Sequence, residues 1–312
     1  MVRFAKPALS LDQQVELLVR RGMQGDWKDI RRRLASVNYY RLSAYWHTFR
    51  DDSDQLRPDT HFETVWERYV FDRELRLLVM DALERIEVAV RARLAYEHAT
   101  RGGAFAYEAD PAALFAHNST KRADFFRRLR EDLDRSHEPF VLHFKKKYGD
   151  VHSWPPVWVA AEVLSFGGIL SLFRGSPRGI QRAVADHFGV PDAVFESWML
   201  TLNVVRNICA HHGRFWNREI GMPPKLPRLH RAPEWHTPVR LSNDRAFAVL
   251  TILAHCLHHI ARGSRWARRF NALLEKYPRI PVIQMGIPPN WRECPVWARM
   301  LSSDRTDAPT TE

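Results

Sequence analysis

The residues best suited to do chemistry in this chain lie close together, between positions 202 and 217, where the order is Leu-Asn-Val-Val-Arg-Asn-Ile-Cys-Ala-His-His-Gly-Arg-Phe-Trp-Asn. Arg206, Asn207, His211, His212 and Arg214 fall within nine positions of one another. An imidazole can give and take protons near neutral pH. A guanidinium offers a planar fork to phosphate oxygens as negative charge builds there. Together these types suit chemistry at a phosphodiester. They sit on an otherwise apolar segment, where an unsatisfied polar group costs a few kcal/mol. The cluster is therefore either a site or a hydrogen-bonded structural network.

The segment before it reads as one helix. Pro191 and Asp192 supply a start, and Gly213 supplies a stop. Val194, Trp198, Leu202, Val205 and Cys209 recur at three- and four-residue steps, while Phe195, Met199, Leu200, Val204 and Ile208 cover much of the remaining surface. A helix apolar nearly all round is a buried one. Continued at about 100° per residue, His212 returns to the apolar stripe, where a hydrogen-bonded core histidine is the plain expectation. Asn207 and His211 are four apart and share a face, so the amide can orient the imidazole. Arg206 and His211 are five apart, about 140° round the helix. Convergence on one atom then needs a long arginine reach or a second copy of the helix across a two-fold axis. The spacing alone means little. It also occurs at Arg93/His98, Arg182/His187 and Arg231/His236, and about two such pairs are expected from composition. Only the pair at 206/211 is followed by Asn207, the double histidine and Arg214.

In that context the string Arg206-Asn-Ile-Cys-Ala-His-His-Gly-Arg-Phe-Trp-Asn217 resembles the RNxxAHHxRxWN core of the Abi-like family, abortive-infection proteins of the AbiD/AbiF type within the HEPN superfamily. Further blocks agree in order. The run from Lys6 to Gln14, KPALSLDQQ, resembles the family's opening, and Asn38-Tyr-Tyr-Arg-Leu-Ser-Ala-Tyr-Trp46 resembles its NYYRLSGYW, with Ala44 in place of Gly. Phe71-Asp-Arg-Glu-Leu-Arg76 with Asp81-Ala-Leu-Glu-Arg-Ile-Glu-Val88 resembles a long-helix motif. Trp154-Pro-Pro-Val-Trp158 and Glu162-Val-Leu-Ser-Phe-Gly167 match one more block, and Pro-Pro-Asn-Trp291 resembles the family's ending.

The resemblance implies an all-α, HEPN-like helical bundle with N-terminal and C-terminal helical extensions. It implies an endoribonuclease that needs no metal or other cofactor. The RNA's own 2′-hydroxyl attacks the neighbouring phosphate, leaving a 2′,3′-cyclic phosphate and a 5′-hydroxyl. Arg206, Asn207 and His211 would be catalytic, with His212 and Arg214 binding substrate, and Trp216 packing rather than stacking on a base. The implied setting is phage defence, as a homodimer, with RNA as substrate and an antitoxin as a further partner. The alternative is a catalytically silent or restrained RNA-binding protein that holds a small structured noncoding RNA.

Composition agrees with a polyanionic partner. The 312 residues carry a formal net charge of +11 and a pI near 9.9. The clumps at Arg127, Arg128 and Arg130 or at Lys145–Lys147 are, taken singly, solvated faces. Cys209, Cys256 and Cys294 are too few and too far apart for a disulfide framework or a zinc knuckle. His255 and His259 share a helix face with His258 beside them. That spacing suits zinc, but no acidic residue stands where a metalloprotease helix places its base. Glu84 and Glu87 with Arg91 read as a helix ion-pair ladder. There is no Gly-rich phosphate loop. The opening residues lack a signal peptide's apolar core, so a cytoplasmic location is expected.

Helices are expected from Ser10, through the capping box Ser10-Leu-Asp-Gln13, to Arg21, and over 27–37, 62–100, 120–135, 139–148, 157–173, 178–188, 243–262 and 265–277. The pattern shows no strand runs. Five prolines make 221–241 irregular: a strap over the site, an RNA-facing edge or a surface connector. The expected organisation is an N-terminal helical segment over 1–61, a HEPN-like core over 62–220, a strap with C-terminal helices over 221–301, and a disordered tail over 302–312.

Overall fold

Short side chains start several of the helices. In this computed structural model, which describes Arg3, Ala5 and residues 7–302, the Ser10 hydroxyl accepts from Gln13 N–H while the Gln13 side chain accepts from Ser10 N–H. That reciprocal box opens α1 (Leu11–Arg20), as its sequence predicts. Asp26 caps α2 (Trp27–Ser36), and Asn38 caps α3 (Tyr39–Trp46). The remaining helices are α4 (Phe62–Gly102), α5 (Ala106–Ala109), α6 (Ser119–Arg135), α7 (Pro139–Tyr148), α8 (Val157–Val163), α9 (Phe166–Gly175), α10 (Arg178–His187), α11 (Asp192–Ala210), α12 (Ala246–Ile260), α13 (Trp266–Lys276) and α14 (Pro295–Ser302). The described residues contain no strand, only two isolated β-bridges. The fold is all-α. No helix among them is long and apolar enough to cross a membrane.

The chain divides into two compact units, one holding the described residues up to Arg76 with Ala272–Ile280, the other holding Leu77–Asn271 and the described residues from Pro281 onward. In the first unit a buried network joins α3 to the first part of α4. The Tyr45 hydroxyl donates to Asp72 at 2.6 Å, and the Arg76 guanidinium donates to the same carboxylate and, at 3.2 Å, to the Tyr45 oxygen. Asp72 has no exposed surface and Arg76 is 5% exposed. Burial, with Asp72 alongside, pushes the Tyr45 hydroxyl's pKa up. Two of the sequence blocks singled out above therefore meet in a structural ion pair rather than a site. Lys6, which opens the first block, lies outside the described residues.

The second unit is organised by α12, buried from Ala246 to Leu257. Against it pack Trp291, Trp297 and Phe270, with ring centroids 5.0–5.7 Å apart. Trp297 donates to Thr251 and Trp266 to the Leu78 carbonyl. All three cysteines are buried, and none is in a disulfide.

Three local expectations are corrected. The single helix over 157–173 is broken into α8 and α9. Ser165 starts α9 by accepting from Gly168 N–H. Arg91, held by Glu87, donates to the Ala161 and Leu164 carbonyls that α8 leaves open. Residues 39–46, not expected to be helical, form α3. Ser302 ends α14 instead of opening the tail, and residues 303–312 lie outside the described residues.

Residues 221–241 contain only a 3-10 turn at Pro233–Trp235. They are laid along the N-terminal half of α11. Trp198 Nε1 donates to Lys225 O, Thr201 Oγ1 to Met222 O, and Lys225 N–H to Ser197 Oγ. The segment is a strap, but over the first turns of α11 and not over the polar cluster at its end.

Candidate functional site at the C-terminal end of α11

α11 ends in a left-handed cap. His211 is the C-cap, and its N–H donates to Asn207 O. His212 adopts φ 59°, its N–H donates to Cys209 O, and Gly213 N–H donates to Ile208 O at 2.8 Å. This six-to-one and five-to-two pair is the Schellman arrangement. Glycine usually takes the left-handed place. Here histidine takes it and the glycine follows. A β-carbon at Gly213 would come 3.2 Å from both Ile208 O and its Cγ2, so the tight return of the chain suits glycine there as well.

The cap changes where the site residues point. His211 and His212 are both exposed, as is Asn207, while Arg206 and Arg214 are half-buried. His212 is therefore not a core histidine. The 100° step that put it on the apolar stripe stops at Ala210, and the left-handed turn swings it outward. The apolar stripe is as expected, with Trp198, Leu202, Val205 and Cys209 buried. Trp216 is 1% exposed and packs inside.

Among the described residues, none hydrogen-bonds or ion-pairs with the side chains of Arg206, Asn207 or His211. The sequence expectation that the Asn207 amide orients the His211 ring has no such bond behind it. What Asn207 gives His211 is its carbonyl, at the backbone. Nearby, Asn217 Oδ1 is buried with no hydrogen-bond partner, which costs about 1–3 kcal/mol.

The other arginine–histidine pairs fare differently. Arg93 is paired with Glu97, and His98 is buried against Ser176 at 2.7 Å, where burial lowers its pKa to about 4. His236 is bonded to the Pro227 carbonyl. Arg182 and His187 are exposed on α10, and burial with the nearby Arg93 lowers the His187 pKa. His255 is committed to Phe188 O at 2.8 Å, and burial lowers its pKa to about 3. Its ring lies tilted against that of His259, centroids 4.7 Å apart. These bonds explain its place in the core.

Sequence reasoning did not find Asn203. It lies one turn before Asn207 on α11, and its amide nitrogen is 3.8 Å from where a β-carbon of Gly167 would stand. The amide thus faces the first turn of α9. The four-residue step from Asn203 through Asn207 to His211 was the available signal.

A guanidinium and an imidazole that are both open to solvent at a helix end can bind a phosphate and move a proton. By ideal helix geometry extended to the C-cap, five residues separate them by about 7.5 Å of rise and about 140°, which sets them on diverging faces of one chain. Among known proteins, the sequence model described as Abi-like protein matches residues 32–217. Neither the curated proteins nor the solved structures gave a match.

Proposed function

Given that the chain belongs to the Abi-like protein family, we propose that it acts in abortive-infection defence against phage as a HEPN-type endoribonuclease. The carrying observation is the state of the Arg206 and His211 side chains: both reach solvent at the end of a well-anchored helix, and neither is engaged by another described residue. Arg206 holds the scissile phosphate and stabilises charge on its oxygens as the RNA 2′-hydroxyl attacks. His211 moves the proton, either from that hydroxyl or to the departing 5′-oxygen. The 2′-oxygen to phosphorus bond forms as the phosphorus to 5′-oxygen bond breaks. The reaction closes without water, which accounts for a cyclic phosphate end. Asn207 and Arg214 contact the flanking backbone, and His212 stands next to them.

The divergence of Arg206 and His211 supports a homodimer, in which the two copies of α11 approach across a two-fold axis. Apolar side chains left uncovered on a single copy, Val204 on α11, Trp158 on α8 and Val88 with Tyr96 on α4, are 42–57% exposed and give such a contact material.

The test is cleavage of a mixed RNA pool by wild-type protein, Arg206→Ala and His211→Ala, in EDTA. The expected result is cleavage by wild type alone, with the variants retaining wild-type circular dichroism and melting temperature. Cleavage that stops in EDTA and returns with a divalent metal would overturn the mechanism.

A further inference from the structure

An open groove of about 1370 Å³ runs between α6, α9 and α11, all in the second unit. Its size is above the roughly 300–1,000 Å³ of a small-molecule site, which points to a polymer segment. Its charges divide into two sets. Arg127 pairs with Glu131 and Asp124, Arg135 with Asp132, and Arg174 with Glu196. These pairs use every carboxylate lining the groove. Lys121, Arg128 and Arg178 are left exposed, with no ion-pair partner among the described residues. Lys121 and Arg128 are two turns apart on α6, about 10 Å along its axis. The uncharged lining supplies amides and hydroxyls from Asn118, Asn203, Ser165 and Ser171. Gly167 and Gly168 on α9 also line the groove. One wall is fixed by Phe115, whose N–H donates to Gly175 O and whose ring leaves no room for a β-carbon at Gly175.

α11 contributes Glu196 and Asn203 to the groove. His211 lies eight residues on from Asn203, about 12 Å along the helix. The geometry points to this groove as the track for a single-stranded RNA, with Lys121, Arg128 and Arg178 neutralising its phosphates and the amides facing its bases. The inference rests on the ribonuclease reading for the occupant, and it adds where the substrate runs. A single strand fits better than a duplex because only unpaired bases can turn their edges to side-chain amides.

Binding of a fluorescein-labelled mixed-sequence RNA to full-length His211→Ala protein, which prevents turnover, tests this by anisotropy between about 50 and 200 mM salt. The comparison adds Lys121→Gln/Arg128→Gln/Arg178→Gln, or a control removing equal charge elsewhere, Lys28→Gln/Lys146→Gln/Lys147→Gln. Each lost phosphate contact lowers the salt slope by about 0.7, so the groove variant should lose about 2 from its slope and weaken about 20-fold less than its parent over that range. The control should keep the parental slope. Equal slopes for groove variant and control would overturn the track, as would equal affinity for an acidic peptide of matched charge. If wild-type protein binds RNA through the groove but never cuts it, the nuclease reading falls and the track stands. If it binds no RNA, both fall.

Discussion

Replacing Asp72 by alanine should cost the fold more than any surface change. The carboxylate has no exposed surface and takes bonds from Tyr45 and from Arg76, itself 5% exposed. Removing it takes away the carboxylate that Arg76 donates to inside the fold, and breaking one side of such a buried pair costs about 3–5 kcal/mol. At about 2–4 °C per kcal/mol for a protein of this size, the melting temperature should fall by about 10 °C. The double variant Asp72→Leu/Arg76→Met removes both charges and fills the space with apolar groups. It should recover most of that loss, because a buried pair gains little over a well-packed apolar pair. Urea unfolding followed by circular dichroism measures both. A loss below about 1 kcal/mol for the single variant, or a double variant as damaged as the sum of the two single ones, would refute the assignment of this network as a coupled, desolvated pair.

Further expectations follow from other parts of the molecule. Arg91→Met should lower stability by about 2–4 kcal/mol, because it strips the Ala161 and Leu164 carbonyls of their donor and leaves Glu87 unpaired; thermal melts check it. His98 and His255 are held neutral by burial, with pKa values lowered to about 4 and about 3. The unfolded chain binds their protons first, so stability should be full above about pH 6.5 and fall as pH drops toward 4, by about 2 kcal/mol per group at pH 5; urea midpoints across that range show it, and a flat profile would contradict it. His212→Gly relieves a left-handed backbone at φ 59° and should leave stability within about 1 kcal/mol of wild type, so any large loss of RNA cleavage in that variant reports on the imidazole.

The parts of this fold that were legible in sequence were the local ones. The Ser10 capping box, the apolar stripe of α11 and the long α4 depend on residues three or four apart, and they stand as read. The break at Ser165 was harder to see because Arg91, which satisfies the carbonyls opened there, lies 70 and 73 positions earlier in the chain. α3 was missed because Tyr-Tyr-Arg-Leu-Ser-Ala-Tyr-Trp is rich in aromatic residues with modest helix propensity, and its stability comes from burying Leu42, Tyr45 and Trp46. The Arg206-to-His212 cluster was visible because its members are adjacent in sequence. The helix was read well to its end at Ala210, but the expected bond from the Asn207 amide to the His211 ring is not formed, and the angle carried on to His212 fails because that residue is left-handed. The groove beside it was invisible, being assembled from segments around 120, 170 and 203 that share no local pattern.

The central claim is that Arg206 and His211 cleave RNA by attack of its own 2′-hydroxyl, and the chemistry of the cut ends tests it most directly. RNA cut by wild-type protein in EDTA should carry 2′,3′-cyclic phosphate and 5′-hydroxyl ends, with no cutting by His211→Ala. Ends bearing 5′-phosphate and 3′-hydroxyl, or the same cuts made by His211→Ala, would contradict it.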